Sequence, residues 1–574
     1  MTSFAHLFLC KMGIPSYFAH VLKKYPRVIK RISELPCINN LYLDCNGIIY
    51  DVVRQMQFSA DKQAEYEAEL LQRICDSIDA CIAILRPTSS VFIAFDGVAP
   101  VAKLNQQRER RYKSWYLGEM ESQRRRDITA QSQKNGVKKP VNIQPPKPAW
   151  NTSAITPGTK FMNMLHIKLA QHFDASNLSG GPRIIVSSSK EPGEGEHKLF
   201  EYIREHAAHH AAATTVIYGL DADLIMLCMS HLHISRGIYL YRETPEFVKS
   251  INVALDEKER YYMDIPEFAD AIVEQLSPQR TDPAIAKAKV MDYIFICFML
   301  GNDFMPHFPA LNIRTTGIAT LLEAYRATIA PNETITVAHP DGNGIHWPNY
   351  KKLIAALATQ ELNLVRKEHA TRDRQARHMR DTDKEDDVMH DVMMLPMTQR
   401  DVERSIDPFN AGWERRYYAT LCDIPMDGKT DAAEIAALCR NYLEGMEWTF
   451  QYYTRGCVDW KWTYANHYPP LLVDLVQHIP DTNAPNASLS FLQAKPKEPI
   501  RDVVQLCYVL PKASHALLPP AVARGLMRSK LASKYTDDGQ HDFKWAYCKY
   551  FWECHTDLPA LDLDELEEIV KKMD

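Results

Sequence analysis

Four short runs rich in β-branched and aromatic residues, LYL at 41–43, VFIAF at 91–95, IIV at 184–186 and VIY at 216–218, alternate with stretches of helical apolar spacing such as 66–84 and 161–173. Few folds accommodate that alternation. Each strand–helix unit returns the chain to the same end of a sheet, so from residue 12 to about 311 the expectation is an α/β fold, a mainly parallel sheet flanked by helices. In open sheets of this kind the functional crevice lies outside the carboxyl ends of the strands.

Acidic residues follow these runs. Asp44 closes LYLD, Asp96 follows VFIAF, Asp221 and Asp223 follow VIYGL, and Asp303 sits in FMLGNDF after a further apolar run. The segment EPGEGEHK at 191–198 adds Glu194 and Glu196, two residues apart on a glycine-containing backbone that can approach a charged ligand closely. Taken singly, an Asp at a strand end is as well explained as a helix N-cap or turn former. Seven carboxylates gathered in one crevice would instead repel one another and resist ionisation unless divalent cations lay among them. Hard oxygen donors without His or Cys suit Mg²⁺, with Mn²⁺ as the other candidate. Two such ions roughly 4 Å apart are the arrangement that hydrolyses phosphodiesters. Asp44, Asp96, Glu194, Glu196, Asp221, Asp223 and Asp303 are therefore the candidate catalytic and metal-binding residues.

A basic face follows Asp96. Lys103, Gln107, Arg110 and Arg111 fall at i, i+4, i+7 and i+8 and share one side of a helix. A solvated surface would look similar, but a helix starting so near a candidate ligand can surround a terminal phosphate. Lys113 and Arg124, Arg125 and Arg126 extend the charge and read as a solvated or general RNA-contacting surface.

A chain of 574 residues exceeds one hydrophobic core, and its net charge of −5 does not decide for or against a polyanionic partner, since local basic patches act independently of the sum. The thirteen cysteines never occur as Cys-x-x-Cys, which argues against a zinc module and a secreted disulfide framework. No apolar window is long enough to span a membrane, and cytoplasmic residence is expected, with the nucleus as the alternative. The segment 366–391 is almost wholly polar and reads as an exposed or disordered linker, and the region beyond it is rich in aromatics and proline.

The ordered motifs MGIPSYF at 12–18, LYLDCNGIIY, FDGVAPVAKLNQQRERR, ITPGTKFM at 155–162, EPGEGEHK, GLDADLI and LGNDFMPH resemble the Xrn-type 5′→3′ exoribonucleases. YYTRGCVDWKW, VLPKASHALLPP and DFKWAY resemble that family's second conserved region. The resemblance implies a PIN-like, flap-endonuclease-type nuclease core at 12–365, after an N-terminal extension at 1–11. A charged linker at 366–395 and a mixed, largely helical second region at 396–574 packed on the core would follow, without long C-terminal modules. It also implies a processive, Mg²⁺-dependent enzyme, monomeric, that degrades single-stranded RNA from a 5′-monophosphate to nucleoside monophosphates. The seven acids fall on the family's metal-binding carboxylates and Lys103, Gln107, Arg110 and Arg111 on its 5′-phosphate pocket. Tyr50, where the family usually has histidine, and Trp460 or Trp462 fall on its base-stacking pair. Two other readings share features of the chain: a flap-type DNA nuclease, and a catalytically silent RNA-binding scaffold. Protein partners are not indicated.

Overall fold

The computed structural model describes residues 16–134, 149–176, 180–242, 259–277, 282–339, 342–380, 388–481, 498–535 and 543–573. The extension at 1–11 and Met12 lie outside the described residues.

A seven-stranded sheet organises the first half. Its strands are β1 (Ile29–Arg31), β2 (Asn40–Asp44), β3 (Ser90–Ala94), β4 (Arg183–Ser187), β5 (Thr215–Tyr218), β6 (Ile238–Tyr241) and β7 (Tyr261–Asp264), in the spatial order β1-β7-β6-β5-β2-β3-β4. Neighbours from β6 through β4 are parallel, whereas β7 runs antiparallel to both β6 and β1. The four strands expected from the sequence form the contiguous parallel run β5-β2-β3-β4, which ends at the sheet edge. Every residue of β2, β3 and β5 is buried, which is why these segments read as continuous apolar runs and not as alternating ones.

Strand alternation divides the core. Leu41, Leu43, Val91, Ile93, Val216 and Tyr218 face one layer, built with α1 (Asn46–Gln55), α2 (Gln63–Leu85) and, beyond α3 (Val101–Lys134), α4 (Lys160–Ser176). Tyr42, Phe92 and Ile217 face the other, built with α5 (Gly195–Glu205), α6 (Asp223–Ser230), α7 (Ile265–Leu276) and α8 (Pro283–Cys297). This second layer is continuous with the aromatic second region, including Trp448, Phe450, Tyr452 and Tyr453. The described residues of the region 396–573 are largely helical, as expected.

The linker reading requires correction. Residues from Glu361 to Arg380 form helix α9, and Glu368, His369, Arg372 and Ala376 on it are buried. Its charges are tolerated inside because they are paired: Arg372 lies 2.8 Å from Glu403, and Arg400 forms a second ion pair with the same carboxylate. Burial opposes the charge of Glu403, yet the two guanidiniums hold its carboxyl at about 2. Residues 381–387 of the linker lie outside the described residues.

The chain order defines where a ligand would sit. From β2 the chain moves to β3 and β4 on one side, then returns to place β5 on the other side of β2. The reversal between β2 and β5 is a topological switch point, and Asp44 and Asp221 stand at its carboxyl edge.

Candidate active site

Six of the seven acids, all but the partly exposed Asp96, are buried. Asp44, Asp96, Glu194, Glu196 and Asp221 line one cleft, while Asp223 and Asp303 stand behind its wall. The strand ends are locked to one another by backbone. Gly97 N–H donates to Gly193 O at 2.8 Å, and Gly193 N–H donates to Val98 O at 2.7 Å. A Cβ on Gly97 would lie 1.7 Å from Glu191 O, so the close approach excludes any side chain there. Lys198, buried in the same segment, donates to Phe95 O at 2.8 Å and Ser188 O at 2.7 Å and staples the loops.

Glycine serves a second purpose at 195. Its N–H donates to Asp96 Oδ1 at 2.6 Å, and a Cβ there would lie 2.7 Å from Asp44 Oδ1 and 3.4 Å from Asp96 Oδ1. The helix start thus presses against the carboxylates. Asn46 completes the arrangement: its Nδ2 hydrogen-bonds Asp96 Oδ2, and its Oδ1 accepts from Asp96 N–H at 3.2 Å.

The electrostatics call for a cation. Burial, then the neighbouring carboxylates Asp96 and Asp221, pushes Asp44 well above the ordinary range. Burial and Asp223 do the same to Glu196, and burial raises Asp221 to about 6 and Asp223 to about 8. Glu196 Oε2 and Asp223 Oδ1 are buried without a hydrogen-bond partner. Orphaned oxygens among crowded, hard carboxylate donors fit a divalent cation of the Mg²⁺ or Mn²⁺ type.

Lys103 sits closer to these acids than a phosphate-pocket reading anticipates. Its Nζ lies 2.6 Å from Glu194 Oε1 and 2.6 Å from Asp303 Oδ2. Burial works against its charge, but Asp303, Glu194 and Glu196 outweigh burial and keep it protonated. Gln106 also donates to Asp303, at 2.7 Å. Farther along α3, Gln107, Arg110 and Arg111 line the same cleft. Arg111 donates to Thr156 Oγ1 at 2.7 Å, its Nη1 is buried without an acceptor, and burial lowers its pKa to about 10. Among the described residues, neither Arg110 nor Arg111 has a carboxylate partner. The cleft is acidic at the strand ends and basic at its far end.

Residues 12–244 match the XRN 5′-3′ exonuclease N-terminus, and residues 286–408 and 397–574 match the Xrn1 helical domain. The chain belongs to the Xrn family of 5′→3′ exonucleases. Relatives named 5′-3′ exoribonuclease 2 include those of Gallus gallus, 26% identical, Candida albicans, 24%, and Arabidopsis thaliana, 25%. Each match covers 98% of this chain and, respectively, 70%, 72% and 67% of the relative.

Of the Xrn-type stacking residues, Tyr50 lines the cleft. Trp462 is 8% exposed and stacks on Trp448 with ring centroids 5.0 Å apart, inside the core. Trp460 is half-buried, and its carbonyl accepts from Val101 N–H, at the start of α3, at 2.9 Å. Neither tryptophan lines the cleft that holds Tyr50. Lys113 also departs from expectation: it is buried and donates to Trp552 O at 3.0 Å and Cys554 O at 2.6 Å, so it anchors α3 to the C-terminal segment instead of facing solvent.

The second region reaches the acids through the first two residues of YYTRGCVDWKW, a motif read for its resemblance and its tryptophans but not for contact with the acids. In α10 (Asp431–Thr454), Tyr452 donates to Glu194 Oε2 at 2.8 Å, and the Tyr453 hydroxyl hydrogen-bonds Asp223. Rings then form a column: His197 on Tyr452 at 3.7 Å, Tyr452 on Trp448 at 5.0 Å, and Trp448 on Trp462. Asn46, immediately after the LYLDC run, had a local signal as a polar residue at the strand–helix turn. Tyr452 and Tyr453 open the YYTRGCVDWKW motif, but nothing local linked them to the acids they contact, more than 200 residues away.

Proposed function

We propose that this Xrn-family chain is a processive 5′→3′ exoribonuclease that degrades single-stranded RNA bearing a 5′-monophosphate to nucleoside 5′-monophosphates. The observation that carries the reading is the polarity of the cleft, with carboxylates at the strand ends and, farther along the same α3 face, the guanidiniums of Arg110 and Arg111, which have no carboxylate partner among the described residues. From Lys103 to Arg111 the helix rises by about 12 Å. A 5′-phosphate at Gln107, Arg110 and Arg111 therefore leaves room for one nucleotide before the next phosphate reaches the acids.

Asp44, Asp96, Glu194, Glu196, Asp221, Asp223 and Asp303 would hold two Mg²⁺ or Mn²⁺ ions, some of these residues through second-layer contacts. Bound there, divalent cations supply charge neutralisation and a lowered pKa for water. The water oxygen bonds to the phosphorus between nucleotides one and two, the P–O3′ bond breaks, and a proton passes to the departing 3′-oxygen. Lys103 keeps a fixed positive charge beside the reacting phosphate. The shortened strand carries a new 5′-phosphate, which suits the same pocket and permits repeated turnover. The site is assembled within one chain, which supports a functional monomer. Among the described residues no helix is long and apolar enough to cross a membrane.

The test is a time course with Mg²⁺ on 3′-labelled single-stranded RNA carrying a 5′-monophosphate, hydroxyl or cap, beside flap DNA and the Asp223→Asn variant. The expected result is disappearance of monophosphorylated RNA without intermediates, with the other ends and the variant inert. Internal cleavage independent of the 5′ group, preference for the DNA flap, or RNA binding without turnover would each overturn the reading.

A further inference from the structure

Helices α1 and α3 begin beyond the carboxyl ends of the adjacent parallel strands β2 and β3, so both start near the acids and form two walls of the cleft. On α3 the cleft-facing residues are Lys103, Gln107, Arg110 and Arg111. On α1 they are Asn46, Gly47, Tyr50 and Arg54. The spacing matches: eight residues separate Lys103 from Arg111, and eight separate Asn46, which holds Asp96, from Arg54. Each interval is about 12 Å of helix.

Arg54 occupies the α1 wall in an unfinished state. Its Nη2 pairs with Asp51 one turn earlier, which fixes the guanidinium, while Nη1 is buried without an acceptor. On α3, in the same cleft, Arg111 Nη1 is orphaned as well. Each guanidinium has one partner and one N–H group left without an acceptor, and two such donors lining one cleft point to an anion that completes both. Tyr50, one turn closer to the acids on the same face, would lie beside the nucleotide whose phosphate they hold.

We infer that Arg54 is a substrate-contacting residue for the RNA 5′-phosphate, gripping it from α1 while Arg110 and Arg111 hold it from α3, and thereby setting how strongly the enzyme discriminates 5′-phosphate from 5′-hydroxyl ends. The inference rests on the exoribonuclease reading above. Asp51 is the positioning residue that aims the guanidinium. Recognition is two-sided: a phosphate bound only by α3 could swing across the cleft, whereas one held from both walls is fixed along the cleft axis.

The experiment compares parent, Arg54→Met and Arg54→Lys for KM and kcat on 5′-phosphate RNA and for Kd on 5′-phosphate and 5′-hydroxyl RNA of one sequence, with thermal melts of each protein. RNA affinity is measured in parallel in the Asp223→Asn background. Arg54→Met is expected to raise KM and Kd for the 5′-phosphate RNA roughly ten- to a hundredfold, with kcat and the 5′-hydroxyl Kd within about twofold. Arg54→Lys is expected to recover part of the loss, since it restores charge without the planar fork. A discriminating parent with an indifferent Arg54→Met, or a variant that loses both substrates equally while remaining folded, would overturn the role of Arg54. A parent that does not discriminate the two ends would overturn the functional reading beneath it. Should Arg54→Met melt early, Arg54→Lys carries the test, and parental end discrimination with an unchanged KM for Arg54→Lys and Arg54→Gln refutes the contact.

Discussion

Gly195→Ala separates the architecture of the centre from its chemistry. The residue opens α5, and its backbone φ does not lie in the left-handed region, so alanine is allowed there and raises helix propensity by up to about 1 kcal/mol. The added methyl would stand 2.7 Å from Asp44 Oδ1, where ordinary contact starts at 3.4 Å. One of the two must move by about 0.7 Å, beyond the roughly 0.5 Å within which a catalytic constellation must be held. The helix is anchored by the hydrogen bond from residue 195 to Asp96 and by the Lys198 staple, so the carboxylate yields. Misplacement on this scale costs about a hundredfold in rate, or about 2.7 kcal/mol in the barrier. Single-turnover decay of 5′-phosphate RNA at saturating Mg²⁺, paired with a thermal melt, reads both quantities. The expected variant melts at or above the parental temperature and turns over about a hundredfold more slowly. Parental turnover would refute the claim that Asp44 is held in place by contact with a bare backbone, and an early melt would show that the glycine serves folding instead.

Three further outcomes follow from the geometry. Raised carboxyl pKa values mean that the metal-free folded state keeps protons which the unfolded chain has lost, so stability from Asp221 and Asp223 falls as pH rises from about 4 through about 6 and about 8. Mg²⁺ displaces those protons, and its upward shift of the melting temperature should therefore be larger at pH 8 than at pH 6; equal shifts would count against metal binding at these carboxylates. Tyr452→Phe keeps the ring stack and removes the hydrogen bond to Glu194, so the Mg²⁺ concentration for half-maximal activity should rise about tenfold with little change in folding, checked by metal titration. Trp462→Ala should cost about 3–5 kcal/mol in urea unfolding because the indole is core, and a folded, parentally stable variant with a selective loss of RNA affinity would restore the stacking role.

What could be read from residues alone was local. A strand followed at once by an acid, as at Asp44 and Asp221, announces both its element and its place at the crevice, and the cleft-facing side of α3 is written in the spacing of Lys103, Gln107 and Arg111. Helix α9 was hidden because its buried face carries Glu361, Val365, Glu368, His369, Arg372 and Ala376. The spacing is helical, but four of those six residues are charged or histidine, so a pattern of hydrophobicity is silent where ion pairs do the work of burial. Strands β6 and β7 carry the β-rich runs IYLY and YYMD, as legible as LYL and VIY, but were not among the four expected strands. Lys103 was visible as a cation on the correct face, yet only the fold brings Asp303 to it across 200 residues.

The column of His197, Tyr452, Trp448 and Trp462 bears on how such a protein can be divided. Residues 12–244 carry six of the seven acids, and by sequence alone they look like a transplantable module. Cut away from the rest, that fragment would lose the hydroxyl that steadies Glu194, the carboxylate that shares Lys103, and the wall against which α5 is stacked. The apolar face of α6 that packs on α8 and α10 would open to water. The unit that must be inherited, expressed and refolded intact is the pair of regions together, and limited proteolysis between them is expected to abolish turnover even when both pieces persist.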